Sequence, residues 1–239
     1  MILHIPHSST HIPELESNSK ITQNDINLLT DWYTDELFDH EFATRVVFEW
    51  SRLVCDVERY RNDGDEPMTK FGHGVVYLNG ATGNKIRDYD KNLSDVTKVL
   101  LYDAHHSKLN KITGTSLALF NEVVLVDCHS FSDAPLVHED DTAERPDFCI
   151  GTNGDLPFTD DLIKVIESNG YSVKLNYPFS GAMVPSLYTN EKSLKCVMIE
   201  VNRKLYLDDK YNKNNNFDTI KNLITKLLDV VNDYEDSNL

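Results

Sequence analysis

Short continuous apolar runs alternate along the chain with polar stretches and with segments whose apolar residues recur at helical spacing. Ile2-Leu3-His4-Ile5-Pro6 predicts a strand, followed by a polar loop from His7 to Pro13. From Thr30 to about Trp50, the residues Trp32, Leu37, Phe38, Phe42, Val46 and Phe48 fall roughly at helical spacing and predict a helix, with Thr30 as its cap. Leu53 to Val57 predicts a strand, leading into a loop with Arg59 and Asp63-Gly64-Asp65; residues 91–113 predict a second helix. Val123 to Asp127 is an unbroken apolar run that ends in a polar cluster, Asp127-Cys128-His129-Ser130, the pattern of a strand buried on both faces. Further strands are predicted at Phe148–Gly151, Tyr171–Leu175 and Lys195–Val201, and further helices at 159–169 and Phe217–Tyr234. Strands alternating with helices predict a three-layer α/β fold, with a mixed, mostly parallel sheet and helices on both faces. No repeat or linker divides residues 1–239, which are expected to form a single domain.

Composition adds limits. Of 239 residues, 40% are hydrophobic and 26% charged, ordinary for a globular chain. The formal charge of −16 repels nucleic acid and anionic membrane, so neither is an expected partner. No apolar run reaches the roughly 18 residues of a membrane-span candidate, and MILHIPHSS does not read as a signal peptide. Cys55, Cys128, Cys149 and Cys196 are widely spaced in apolar runs and read as buried thiols, which points to a reducing cytoplasm.

Ligands of open α/β sheets bind beyond the carboxyl ends of the strands. The polar residues expected there are His7 after the first strand, Asp56 and Arg59 after the second, His129 after the third, and Glu200 on a later one. Imidazoles, carboxylates and an arginine at one edge suit a metal hydrolase. Zinc takes three protein ligands there and leaves a position for water, and a carboxylate takes the water's proton. Other readings stand beside this one. His7 has Ser8, Ser9 and Thr10 as hydrogen-bond partners within its own loop, and Glu200, which interrupts the run Val197-Met198-Ile199, has Arg203 as a structural ion-pair partner.

Several of these segments resemble the N-formylglutamate amidohydrolase family. They are His4-Ile5-Pro6-His7-Ser8-Ser9 with Pro13, Thr30-Asp31-Trp32, Val54 to Arg59, Asp127-Cys128-His129-Ser130, Pro146-Asp147-Phe148 with Gly151-Thr152, and Ile199-Glu200-Val201. They occur in the family's order from residue 2 to about 208. The family is similar in fold to zinc carboxypeptidases and aspartoacylases. The resemblance therefore implies a zinc-exopeptidase-like fold, one zinc ion bound by His7 and His129, Glu200 as general base, and Arg59 gripping an anionic substrate. The relatives take a second ligand three residues after the first histidine, where this chain has Thr10. Asp31 is the expected replacement, in the first turn of the helix after the first strand, with Glu14 and Asp35 as alternatives. Glu58 stands where the substrate-holding segment of aspartoacylases has Asn. Arg203 and His106 are expected in supporting substrate contacts, with charge balance for Glu200 and an exposed helix position as their competing readings.

The implied activity is zinc-dependent hydrolysis of the amide bond in a small anionic N-acyl amino acid such as N-formylglutamate. Two alternatives remain open at this stage. One is a non-catalytic metal- or ligand-binding relative. The other is a peptide or peptidoglycan amidase, whose cleft the loops Gly64–Gly83 and Pro135–Pro146 would widen.

Overall fold

The computed structural model of the chain describes residues 1–14, 19–137, 139 and 144–238. Its strands are β1 (Ile2–Ile5), β2 (Thr44–Val47), β3 (Val123–Phe131), β4 (Phe148–Thr152), β5 (Val173–Leu175) and β6 (Leu194–Asn202). They form one sheet in the order β2-β1-β3-β6-β4-β5, parallel throughout except where β4 runs against β6. The helices are α1 (Gln23–Leu29), α2 (Thr34–Leu37), α3 (Lys91–Thr97), α4 (Asp103–Leu119), α5 (Thr159–Ser168) and α6 (Phe217–Asp236). A π-helical turn, Lys98–Tyr102, joins α3 to α4, so the predicted second helix continues to Leu119.

The two-residue period of a strand assigns each side chain to a layer. Leu3 and Ile5 of β1, Val124, Val126 and Cys128 of β3, and Val197, Ile199 and Val201 of β6 pack against α2, α5 and α6 in the main core. Ile2, Val123, Leu125, Leu194 and Cys196 face the other way, onto Leu109 and Ile112 of α4. The result is the three-layer α/β architecture that the alternation predicts. On this second face the strands do not stay apolar to their ends. His4, Asp127, His129 and Glu200 all continue the α4-facing series, so the sheet's own alternation gathers them into one place. The register finishes the job: His4 pairs with Asp127, and His129 with Glu200.

Two predicted elements differ. Thr30–Trp50 is not one helix: α2 covers four residues, Phe42 is 67% exposed, and Thr44–Val47 is the edge strand β2. The β-branched pair Val46-Val47 fits a pleated edge beside β1 better than a helix. Leu53–Val57 is a buried turn rather than a strand, with Asp56 N–H donating to Val75 O at 2.8 Å. A short apolar run records burial, and burial alone does not specify extended backbone. All four cysteines are buried free thiols. Among the described residues, no helix is long and apolar enough to cross a membrane.

Candidate active site

The chain leaves β1 through Pro6, and His7 O then accepts a hydrogen bond from Asp31 N–H at 3.0 Å. Asp31 therefore sits just past Thr30, the C-cap of α1, and not in the first turn of a helix as expected. Its Oδ2 accepts from His129 Nδ1 at 3.0 Å and lies 3.7 Å from His7 Nδ1. One ligand atom from each of His7, Asp31 and His129 falls within 4.8 Å of the others, and all three side chains are buried. Glu14 is exposed and Asp35 half-buried, and neither belongs to this group.

Each member is held from behind. His7 Nε2 donates to Asp56 Oδ1 at 2.8 Å. Asp56 is wholly buried and also accepts from Arg52 Nη2 (2.9 Å), Tyr77 Oη (2.7 Å) and Glu58 N–H (3.0 Å), with Arg59 Nε 3.3 Å away. His129 Nε2 lies 3.2 Å from Asp127 Oδ1, which accepts from His4 Nδ1 at 2.8 Å; His4 Nε2 in turn meets His105 Nε2 of α4 at 2.9 Å. Asp31 Oδ1 accepts from Arg203 Nη2 at 2.8 Å. Both imidazoles thus turn Nδ1 toward Asp31 while a carboxylate fixes the opposite nitrogen, the arrangement that sets tautomer and ring orientation in metal-bound histidines. His7 Nδ1 is buried without a hydrogen-bond partner. A buried orphan nitrogen is costly, and this one points where a cation would satisfy it.

The electrostatics agree. Burial opposes ionisation of Asp31, but the hydrogen bond from His129, the nearby His7 imidazole and the charge of Arg203 hold it well below the usual carboxylate range. Burial likewise opposes charging His129, yet Glu58 and Asp127 push its imidazole well above the ordinary value. That field favours positive charge at this point. Glu200, beside His129 in the sheet, behaves oppositely. Burial pushes its carboxyl up to about 8, only partly countered by His129 and Arg203, and its Oε2 has no hydrogen-bond partner.

These groups open onto a cavity of about 520 Å³. His7, Asp31, His129, Glu200, Arg59 and Arg203 all line it. Arg203 donates to Asp31, to Ser130 Oγ and O, and to Leu28 O, so its guanidinium positions Asp31 rather than facing Glu200 alone. Arg59 donates to Tyr77 Oη at 3.0 Å from the cavity wall. His106 is not brought to this group. It donates to Val57 O at 2.8 Å and lines a neighbouring cavity. Sequence reasoning passed over Arg52 and Arg145 in the wall, and His4, Asp127 and His105 behind it. Two of them carry a signal: His4, a histidine inside an otherwise apolar strand, and Asp127, an acid that ends an apolar run. Arg145 donates to Ser132 O and Glu139, and lies 5.8 Å from the ring centroids of both Phe131 and Phe179.

A mostly parallel sheet covered on both faces, with imidazoles and carboxylates at the carboxyl ends of its central strands, defines an α/β enzyme scaffold with one polar centre. The chain belongs to the N-formylglutamate amidohydrolase family, whose sequence profile matches residues 1–207. In structure it is similar to an N-formylglutamate amidohydrolase from Ralstonia eutropha, with a TM-score of 0.86 and 19% identity over 100% of this chain and 94% of that one. A gene product of Agrobacterium tumefaciens is also similar, with a TM-score of 0.71 and 20% identity over 97% of this chain and 91% of that one. No curated protein matches the chain in sequence.

Proposed function

We propose that the chain is a metal-dependent amidohydrolase that cleaves a small anionic N-acyl amino acid, with zinc held by His7, Asp31 and His129. The observation that carries this reading is the convergence of His7 Nδ1, Asp31 Oδ2 and His129 Nδ1 in front of Glu200, each held from behind by a charged partner. Charge supports it too. Among the described residues, the centre holds the carboxylates of Asp31, Asp56, Glu58, Asp127 and Glu200 against the guanidinium groups of Arg52, Arg59 and Arg203. The acids outnumber the guanidinium groups, an imbalance that favours a cation, because buried charge requires a partner. One divalent cation would supply it.

When bound, zinc would activate water and polarise the scissile carbonyl. Glu200 would accept the water's proton and pass it to the leaving nitrogen, and an acid whose affinity for a proton is raised by burial is suited to both steps. Arg59 and Arg145 line the wall of the same cavity and suit the substrate's carboxylate, which a guanidinium grips by charge-assisted hydrogen bonds. Arg203 and Asp56 keep the ligands in place. The −16 charge and the family together support a small-molecule substrate rather than a nucleic acid. The test is to chelate the purified protein, titrate zinc back, and follow cleavage of N-formyl-L-glutamate by release of the free amine. Stoichiometric zinc uptake with recovery of activity is expected; cleavage unaffected by chelation would reject the metal.

A further inference from the structure

The carboxylate of Glu58 is the charged group of this centre that the proposed mechanism leaves without a task. It replaces the Asn of the aspartoacylase segment, on a side chain 16% exposed. Its two oxygens face different neighbours. Oε2 lies 3.7 Å from the buried, unpartnered His7 Nδ1, the same distance at which Asp31 Oδ2 stands from that nitrogen. Oε1 meets His129 Nε2 at 3.1 Å and lies 3.8 Å from His4 Nδ1. His4 Nδ1 is in turn 2.8 Å from Asp127 Oδ1.

A second set of ligand atoms thus lies beside the first. One atom each from His4, Asp127 and Glu58 falls within 4.8 Å of the others, and none of these residues belongs to the set of His7, Asp31 and His129. Tetrahedral ligands about 2.1 Å from one ion stand about 3.4 Å apart, and the 2.8 and 3.8 Å separations from His4 Nδ1 bracket that value. The set is held from behind, like the first. Met183 N–H donates to Asp127 Oδ2 at 2.9 Å, which turns Oδ1 to the group. His129 Nε2 lies 3.1 Å from Glu58 Oε1 and 3.2 Å from Asp127 Oδ1, and each oxygen keeps a lone pair beyond that contact. His4, wholly buried, faces His105 Nε2 with its own Nε2 at 2.9 Å. That contact can run either way. Without a cation, His4 gives its Nδ1 proton to Asp127 and accepts from His105. With a cation on Nδ1, its proton sits on Nε2 and His105 accepts, the outer partner that a metal-bound histidine requires.

Resting on the first metal site proposed above, we infer that the centre binds two divalent cations bridged by Glu58. The second ion takes His4 Nδ1, Asp127 Oδ1 and Glu58 Oε1, and Glu58 Oε2 reaches the first. One imidazole and two carboxylates suit zinc or manganese. Asp127 and Glu58 line a second cavity of about 910 Å³, from which water can complete the coordination. The printed charge partners of both carboxylates are imidazoles, which offset no charge when neutral. A second cation offsets them directly.

The experiment strips the full chain with a chelator, titrates zinc back by calorimetry, and counts bound zinc by elemental analysis after gel filtration. The same chain loaded with manganese is read by electron paramagnetic resonance. The protein should take up two equivalents, and manganese should give an exchange-coupled spectrum in place of that of isolated ions. Glu58→Asn and His4→Gln should each hold one equivalent, and Glu58→Asn should show isolated manganese. Should His4→Gln fail to fold, Glu58→Asn decides, because its side chain is partly exposed. One equivalent in the unaltered chain overturns the inference. So do two equivalents with an isolated-ion spectrum, and so do two equivalents kept by Glu58→Asn. One equivalent with cleavage of N-formyl-L-glutamate would reject the ion pair and leave the amidohydrolase reading standing. Two coupled ions with no N-acyl amino acid cleaved would reject that reading and leave the pair.

Discussion

Asp56→Asn is the perturbation that the geometry makes most informative, because every neighbour of this carboxylate is a donor. Oδ1 accepts from His7 Nε2 at 2.8 Å and from Glu58 N–H at 3.0 Å; Oδ2 accepts from Tyr77 Oη at 2.7 Å and Arg52 Nη2 at 2.9 Å. An asparagine amide keeps the shape but replaces one oxygen by a donor, and neither orientation suits the site. With the NH2 toward His7, the imidazole must accept at Nε2 and carry its proton on Nδ1, which closes the nitrogen needed for metal. With the NH2 toward Arg52 and Arg59, two guanidinium groups face it in a wholly buried position. Losing the orienting partner of a metal-bound histidine costs about 10–100-fold in affinity, or roughly 1.4–2.7 kcal/mol. Breaking a buried pair on one side costs about 3–5 kcal/mol, which lowers the melting temperature of a domain this size by roughly 6–20 °C. Zinc affinity would be read by competition with a chromophoric chelator, and stability by calorimetry of the metal-free protein. Unchanged zinc affinity would show that Asp56 does not orient a ligand. An unchanged melting temperature would show that the arginines find water when Asp56 is neutral.

Three further outcomes are expected. His129→Ala should leave the purified protein without stoichiometric zinc by elemental analysis, as should Asp31→Ala, whereas Glu14→Ala should keep it; zinc retained by both of the first two would remove this ligand set. Glu200→Gln should keep zinc and fold but lose turnover by roughly 10²–10⁴; full activity would reject Glu200 as the base, and loss of the fold would make it structural. Arg59→Ala should raise KM for an acidic substrate about 10- to 150-fold, from the roughly 1.5–3 kcal/mol of a hydrogen bond to a charged group, and an unchanged KM would leave Arg59 only its contacts with Tyr77 and Asp56.

The periodicity of the chain determined the layers. β3 and β6 are legible as central strands because a segment buried on both faces must be apolar on both. For the same reason Asp127, His129 and Glu200 stand out as polar residues where burial is unavoidable. Their shared face is also implied by the two-residue period. What the linear chain left open was register and neighbourhood. Nothing in the segment 30–50 announces that Val46-Val47 pairs beside β1, because an edge strand draws its stability from that partner and not from its own pattern. Asp31 reaches His7 through one backbone hydrogen bond between segments that no local rule connects. Arg203, expected to balance Glu200 or touch substrate, is drawn to Asp31 by a buried charge 172 positions away in the chain. His106 carries the same chemistry as His105 next to it, yet the turn of α4 sends His105 to His4 and His106 to the Val57 carbonyl. Sequence fixes which groups are available and which face of a strand they occupy. The pairing of distant charges, and with it the site, comes from the tertiary structure, because ion pairs and hydrogen bonds depend on distances that only the packed chain defines.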